Sequence, residues 1–327
     1  MPALNTFSHH ESQSSFGEKI KSQSKALVIF LLLNGVVGAG FTNCEKKEFN
    51  KTREKKEWFS PSSLQKDTLS SEIIIIRDAG MCFYIVQEDD TLEKIWKKLQ
   101  TLEEFSYLKA KRYQPRGEKR NIRGFNIPGN QLKPGLEVPI PKDKEQIKIP
   151  LEQFSSYSLE AIDGLKSDPT YGFYVKLLLA KIGNKELVNV MCAFAKSESA
   201  QKTILGGRDE IGSLEFHRWE PKYHCFSFSP YHILMEKNAD GESPGPGLRA
   251  KKKLGFTNGK IYHPKYAGAL FLAYWIEKTN FSSEKLVQYL NINSLKDAEQ
   301  TGKIYNGSSK YGEKLWANLQ YVRKTLK

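Results

Sequence analysis

A chain of 327 residues has room for about two domains of ordinary size. Its 39% hydrophobic and 27% charged residues form a globular composition that excludes wholesale disorder, collagen-like repeats and a polytopic membrane protein. Fifty Lys and Arg against 37 Asp and Glu leave a net charge of +13, which favours a polyanionic partner, while four cysteines (Cys44, Cys82, Cys192 and Cys225) without a CxxC or paired ligand spacing exclude a zinc module and a disulfide-dense miniprotein.

The N-terminus points to export. Residues 1 to 25 are polar and end in Lys19, Lys21 and Lys25, after which an apolar run extends from Ala26 to Phe41, interrupted only by Asn34 and glycines. At a helical rise of about 1.5 Å the run spans roughly 24 Å, short of the ~30 Å hydrocarbon core of a bilayer. A basic flank, a short apolar stretch and small residues after it form the pattern of a secretory signal, with Val37 and Ala39 at −3 and −1 for cleavage before Gly40. The same residues leave an uncleaved membrane anchor open. Residues 1 to 44 are therefore assigned to a signal peptide or an N-terminal membrane attachment. The rest is expected to be exported: secreted, in the cell wall, or anchored at the cell surface or in the periplasm. Phe41-Thr42-Asn43 lacks the small residues that would make Cys44 a lipidation site.

Residues 45 to 78 read mainly as a solvated linker, dense in Lys, Glu, Ser and Thr, with structure resuming at the β-branched run Ile73 to Ile76. Cys82 to Val86 is a second strand candidate. Leu92, Ile95, Trp96, Leu99 and Leu102 fall at helical spacing behind an Asp90-Thr91 cap. Asn130 to Gly135 is a turn, and Leu136 to Pro141 a short strand closed by prolines. Residues 143 to 170 are polar and read as a second linker. From Tyr171 the pattern is helical as far as Ala200, and residues 204 to 231 have poor helical periodicity. Helices return over 264–278, 283–290 and 310–326. The Gly/Pro-rich stretch Asn238 to Gly247 lacks the ligand spacing of an EF-hand and reads as a flexible loop; Arg249 to Lys253 reads as a solvated basic face suited to anionic wall polymers.

Residues 84 to 141, within a module of 79–142, resemble a LysM domain. The resemblance rests on Tyr84-Ile85-Val86, the acidic turn Gln87 to Asp90, Thr91-Leu92, Ile95-Trp96, and then Leu132-Lys133-Pro134-Gly135 and Val138-Pro139-Ile140-Pro141. It implies a small βααβ module that binds N-acetylglucosamine polymers through the turn after Val86 and the loop before Leu132. Two departures stand out: Asp89 occupies the usual glycine of the turn, and the basic segment Lys109 to Arg123 lengthens the module.

Residues 171 to 327 resemble the lysozyme-like domain of lytic transglycosylases and N-acetylmuramidases. An apolar helix ends at Lys196-Ser197-Glu198-Ser199, and aromatic residues Phe216, Trp219, Phe226 and Phe228 follow. Ser227 to Ile233 is similar to the Ser-x-Gly-x-x-Gln-Ile element of these domains. His263-Pro264 through Leu272 is similar to the helix that packs on the catalytic one, and Ile304-Tyr305-Asn306-Gly307, with Tyr311 and Lys314-Leu315 beyond, to the Tyr-Asn-Gly element. The resemblance implies an α+β fold, mainly helical with a small β-hairpin. It also implies Glu198 as general acid/base and Ser227, His232, Tyr305 and Asn306 as substrate-binding residues, with no metal and no cofactor. Ser229 and His232 depart from the family's Gly and Gln.

The chemistry fits that position. A glycosidic oxygen is a poor leaving group and must take a proton as its bond to the anomeric carbon breaks. An apolar pocket keeps a carboxylic acid protonated near neutral pH for that purpose. The expected substrate is the glycan strand of peptidoglycan, cut at its MurNAc-GlcNAc β-1,4 bond. Retention or inversion through a second carboxylate would draw on Glu215, Glu220 or Asp209, none at a family position, whereas a transglycosylase needs only one Glu and lets the muramic C6 hydroxyl attack. The alternative is a non-catalytic peptidoglycan-binding protein with a degenerate lysozyme-like domain. A nucleic-acid partner is not expected, since no recognised DNA- or RNA-binding motif accompanies the charge.

Overall fold

A computed structural model of the chain describes residues 65–70, 73–109, 127, 129–141, 148–199, 210–212, 217–220, 222–235 and 243–326. The expected signal or anchor, Cys44, residues 110–123, Asp209, Glu215, Phe216 and residues 238–242 lie outside the described residues. All described residues belong to one compact unit beginning at Glu54. The architecture is mixed α+β and predominantly helical, with small antiparallel sheets. Among the described residues no helix is long and apolar enough to cross a membrane.

The N-terminal part is a four-stranded antiparallel sheet in the order β1-β2-β3-β4, with β1 Gln65–Ser70, β2 Ile73–Asp78, β3 Met81–Ile85 and β4 Glu137–Pro139. The β-branched run of β2 pairs Ile75 with Tyr84, and Tyr84 in turn pairs with Val138. Phe83 and Tyr84 point to opposite sides of the sheet and both are fully buried, so both faces are covered. Strand β1 falls inside the segment expected as linker. As an edge strand it exposes Gln65 and Lys66, and its sequence Gln-Lys-Asp-Thr-Leu-Ser carries no apolar alternation to reveal it.

After β3 one carboxylate organises the turn. Asp90 accepts from the Tyr84 hydroxyl and the Gln87 amide, both at 2.8 Å, and pairs with Lys98 at 2.9 Å. Helix α1 (Leu92–Gln100) starts at Thr91, whose hydroxyl caps the Lys94 amide, and it buries Leu92, Ile95 and Leu99. Trp96 Nε1 donates to the Leu108 carbonyl at 2.8 Å, closing the helix onto the turn that follows it.

Strand β5 (Lys148–Pro150), paired with β6 (Glu210–Gly212), leads into helix α2 (Leu151–Leu165). This corrects the expectation of a linker over 143–170. Leu151, Phe154, Ser158, Ala161, Ile162 and Leu165 form a buried stripe. Serines dilute it in sequence, yet Ser155, Ser156 and Ser158 satisfy their hydroxyls on carbonyls three or four residues back and remain compatible with the helix. Helices α3 (Gly172–Ile182) and α4 (Asn184–Ser199) meet at Gly183, whose φ of 87° turns the chain between them. Helices α5 (Pro246–Lys253), α6 (Asn258–Tyr262), α7 (Pro264–Lys278), α8 (Ser283–Leu290), α9 (Leu295–Asn306) and α10 (Ser309–Thr325) complete the described fold. Every residue from Ala267 to Glu277 is buried, so α7 is the central helix of the domain.

The basic run over 249–253 is more than a solvated face. Arg249 Nε and Lys253 Nζ bind the buried Glu277 carboxylate at 2.8 and 2.7 Å, and the Tyr171 hydroxyl reaches it at 3.1 Å. Burial pushes the Glu277 carboxyl up, but Lys253 and Arg249 outweigh it and hold the group below the usual carboxylate range. The core also encloses Cys192, beside Ser158, and burial pushes its thiol up to about 12. Among the described residues Cys82, Cys192 and Cys225 form no disulfide.

The sheet is fastened to the helices through α6. The Gly259 amide donates to Asp78 Oδ2 at 2.6 Å, Asn258 Nδ2 donates to Glu137 Oε2 at 2.5 Å, and Lys251 Nζ donates to Asn258 Oδ1. Position 259 admits only glycine, because a Cβ there would lie 2.1 Å from the Asp78 carbonyl oxygen. Asp78 and Lys260 are both buried at this seam, and burial holds the Lys260 ammonium below its usual range against the pull of Asp78.

Candidate functional site

The apolar stretch Leu187 to Ala195 sinks α4 into the core, and Phe194 sits at its centre. Its ring lies 5.1 Å from Phe271, 5.9 Å from Trp275 and 4.9 Å from Tyr305. Glu198 follows four residues later on the same face of the helix and is 6% exposed. The Tyr311 hydroxyl is buried beside it, raised well above its ordinary range first by burial and then by the Glu198 charge. Three residues of α10 spaced i, i+3 and i+7 hold this last turn of α4. Tyr311 flanks Glu198, Lys314 Nζ donates to the Ser197 carbonyl, and Asn318 Nδ2 donates to Ser197 Oγ at 2.8 Å. Ser197 Oγ in turn donates to the Ala193 carbonyl at 2.7 Å. Burial lowers the Lys314 pKa while Glu198 pulls it upward.

Tyr305 connects this region to the hairpin. Its ring packs 5.7 Å from Tyr311 and stacks 5.7 Å from Trp275, and its hydroxyl donates to the Tyr231 carbonyl at 2.5 Å. Tyr231 is itself stacked on Phe271 at 4.4 Å, which fixes the turn between β8 (Cys225–Phe228) and β9 (Ile233–Leu234). In that turn Ser229 and His232 have φ of 72° and 46°. Ser229 stands where the resembled element has glycine, and its left-handed backbone is the conformation for which glycine carries no steric cost.

Strand β7 (His217–Glu220) pairs with β8 so that Trp219 faces Phe226, with ring centroids 4.9 Å apart, and Glu220 faces Cys225. Side-chain alternation puts Trp219, Phe226 and Phe228 on one face and Glu220 and Ser227 on the other. Ser227 Oγ donates to Glu220 Oε1 at 3.1 Å and lies 3.4 Å from His232 Nδ1.

Of the residues singled out in the sequence, Glu198 and Tyr305 thus converge around Tyr311, while Ser227 and His232 converge with each other. Asn306 is exposed at the last position of α9, where Gly307 (φ 78°) ends the helix, so the Asn-Gly pair acts locally as a helix stop. The roles of Asn318 and Lys314 went unread because they depend on the pairing of α10 with α4. Their signal is the spacing of Tyr311, Lys314 and Asn318 along one helical face. Glu220 joins Ser227 through strand register. Among the described residues no group of three His, Cys, Asp or Glu side chains comes together as a metal site.

The arrangement offers one buried carboxyl among phenols and an ammonium at the end of an apolar helix, and a Glu-Ser-His cluster on the polar face of a hairpin. Such a carboxyl can give and take a proton, and the hydroxyl, amide and imidazole groups can orient a polar substrate. Comparison of the chain with protein-family models, with curated proteins and with solved structures gave no match in any of the three.

Proposed function

We propose that this chain is an exported peptidoglycan-cleaving glycosidase in which Glu198 protonates the leaving oxygen of the MurNAc-GlcNAc β-1,4 bond. The observation that carries the reading is Glu198 itself, 6% exposed at the end of an apolar helix and flanked by the buried Tyr311 hydroxyl. A carboxyl in that place can hand its proton to the leaving oxygen, as the first step needs. Once the bond breaks, the Glu198 carboxylate serves as base. It takes a proton from water in a muramidase, or from the C6 hydroxyl of the muramic residue in a lytic transglycosylase. Tyr305 holds the hairpin turn beside this acid through the Tyr231 carbonyl. His232 contacts the sugar from the hairpin, the buried Ser227 positions its imidazole from behind, and Glu220, hydrogen-bonded to Ser227, is the described carboxylate on β7. The sheet module, by its resemblance to LysM, holds N-acetylglucosamine units of the same strand, and the positive surface attracts anionic wall polymers.

The test is digestion of purified peptidoglycan followed by mass spectrometry of the fragments. Anhydro ends identify a transglycosylase and reducing ends a muramidase. Glu198→Gln keeps the shape and removes the acid, so activity should fall about 10²–10⁴-fold while pull-down by insoluble wall is retained. Clearance at the wild-type rate by Glu198→Gln would refute the catalytic assignment.

One observation favours a second reading, a non-catalytic wall-binding protein. Lys314 reaches the carbonyl preceding Glu198, and a cation there favours the ionised carboxylate over the acid. That reading expects wall pull-down with no fragments released by the wild type.

A further inference from the structure

We propose that Gln131, Lys222, Tyr223 and His224 form a sugar-binding subsite at the seam between the sheet module and the hairpin, so that the substrate is a polymer strand engaged by both parts at once. The inference rests on the glycan-directed reading above and adds where, and over what length, the strand is held.

The seam is built from two sides. Gln131 ends the short turn Gly129–Gln131 just before Leu132, and His224 lies in the turn between β7 and β8. They are 93 residues apart in sequence, yet His224 Nδ1 meets Gln131 Oε1 at 2.9 Å. Elsewhere the same sheet module is clamped to helix α6 by the Gly259–Asp78 and Asn258–Glu137 hydrogen bonds. The Gln131–His224 hydrogen bond joins the two sides of the seam directly.

Its exposed chemistry suits a sugar. Tyr223 leaves 44% of its surface in water, whereas Tyr231 on the same hairpin is fully buried. The Tyr223 amide is tied to the Glu220 carbonyl at 3.0 Å, which fixes the backbone that carries the ring. A pyranose presents a C–H face that packs on an aromatic ring, and its hydroxyl and acetamido groups need hydrogen-bond partners such as the Gln131 amide and the His224 imidazole. Lys222 Nζ lies 5.2 Å from the Tyr223 ring centroid. It adds a cation to the patch, complementary to the carboxylates carried by the stem peptides of peptidoglycan. His224 adopts φ of 50°, a conformation unusual for a residue with a Cβ, and it turns the chain back into β8.

Strand β8 then connects the patch to the candidate site. Ser227 lies three residues beyond His224, roughly 10 Å at the rise of a strand. A glycan strand lying on Tyr223 thus has its next sugars toward the half-buried Glu220 and His232, which the buried Ser227 links. A binding surface of this kind selects long strands over short oligosaccharides.

The experiment uses the full chain carrying Glu198→Gln as parent, so that bound strands are not cleaved, and measures calorimetric affinity for soluble uncrosslinked peptidoglycan strands. Adding Tyr223→Ala should weaken binding about two- to tenfold, the range expected for losing one aromatic contact. Tyr223→Phe should restore most of it. Lys222→Ala should weaken strands that bear stem peptides and leave a neutral N-acetylglucosamine polymer unaffected. An unchanged thermal midpoint for Tyr223→Ala excludes a folding effect. If the parent binds strands and Tyr223→Ala binds them equally well, the subsite is refuted while the glycan-directed reading stands. If the parent binds neither strands nor insoluble wall, both fall together.

Discussion

The sheet module and the helical domain are held together by different physics. In the module a single buried carboxylate, Asp90, collects a phenol, an amide and an ammonium, and it fixes the turn between β3 and α1. In the helical domain the central contacts are ring on ring: Phe194 touches Phe271, Trp275, Tyr305 and Tyr311. A small sheet buries too little apolar surface to stand on packing alone, and directional polar contacts supply the remainder. The large helical core can rely on area and is free to place an acid such as Glu198 at its margin. The comparison teaches that disruption should spread widely from the aromatic centre and stay local around Asp90.

The sharpest way to break that contrast is Phe194→Ala. Truncating a fully buried ring costs about 3–5 kcal/mol, and here it also removes the floor under Glu198. Denaturant unfolding should show the loss, and an unchanged midpoint would mean the aromatic cluster is not the centre of stability. Glu277→Ala comes next, at about 1.5–3 kcal/mol, since it removes the charged hydrogen bonds of Arg249 and Lys253, whose partly exposed cations then turn to water. The sign with pH follows from the depressed Glu277 pKa. Its stabilisation is present above the unfolded carboxyl value of about 4.3 and is lost as pH falls below it through the folded value. Wild type should therefore lose stability in that acid window, and Glu277→Ala should lose less of it. Asp90→Ala should cost about 1.5–3 kcal/mol, with faster hydrogen exchange confined to β3 and α1. Faster exchange throughout α7 would contradict the local character assigned to that turn. Ser229→Gly is the smallest change, expected to raise stability by less than about 1 kcal/mol because relief of the left-handed backbone is partly offset by glycine's chain entropy. A clear loss in thermal melting would show that the serine side chain is needed there.

Legibility in the sequence followed the same divide between packing and polar contact. The run Ile73 to Ile76, the spacing Leu92–Ile95–Leu99 and the continuous apolar stretch of α7 announce themselves, because burial of whole faces dictates those residues. Strand β1 does not, since an edge strand needs no apolar face, and α2 was concealed by serines whose hydroxyls turn back onto their own helix. Helix α5 reads in sequence as loop and basic face because the Glu277 that its cations bind lies on another element, 28 residues beyond Arg249. At the candidate site, Glu198 is visible as the acid that stops an apolar helix. The Ser227–His232 approach depends on two left-handed residues in one turn, and the Lys314 and Asn318 contacts on α10 meeting α4 across 117 and 121 residues. The helical spacing of Tyr311, Lys314 and Asn318 marks a shared face, but no local pattern names the partner that face meets.

Cys192 carries a consequence for the chain's redox behaviour. Disulfide exchange and oxidation proceed through the thiolate, and burial pushes this thiol up, so that form is scarce at pH 7. Sealed between α2 and the Tyr231 turn, this sulfur meets neither oxidant nor partner. The half-buried Cys82 and Cys225 stand nearer the solvent, and an electrophilic label should reach them first while the core thiol stays unmodified until the fold opens. Slow labelling of Cys192 is thus a built-in clock for global unfolding.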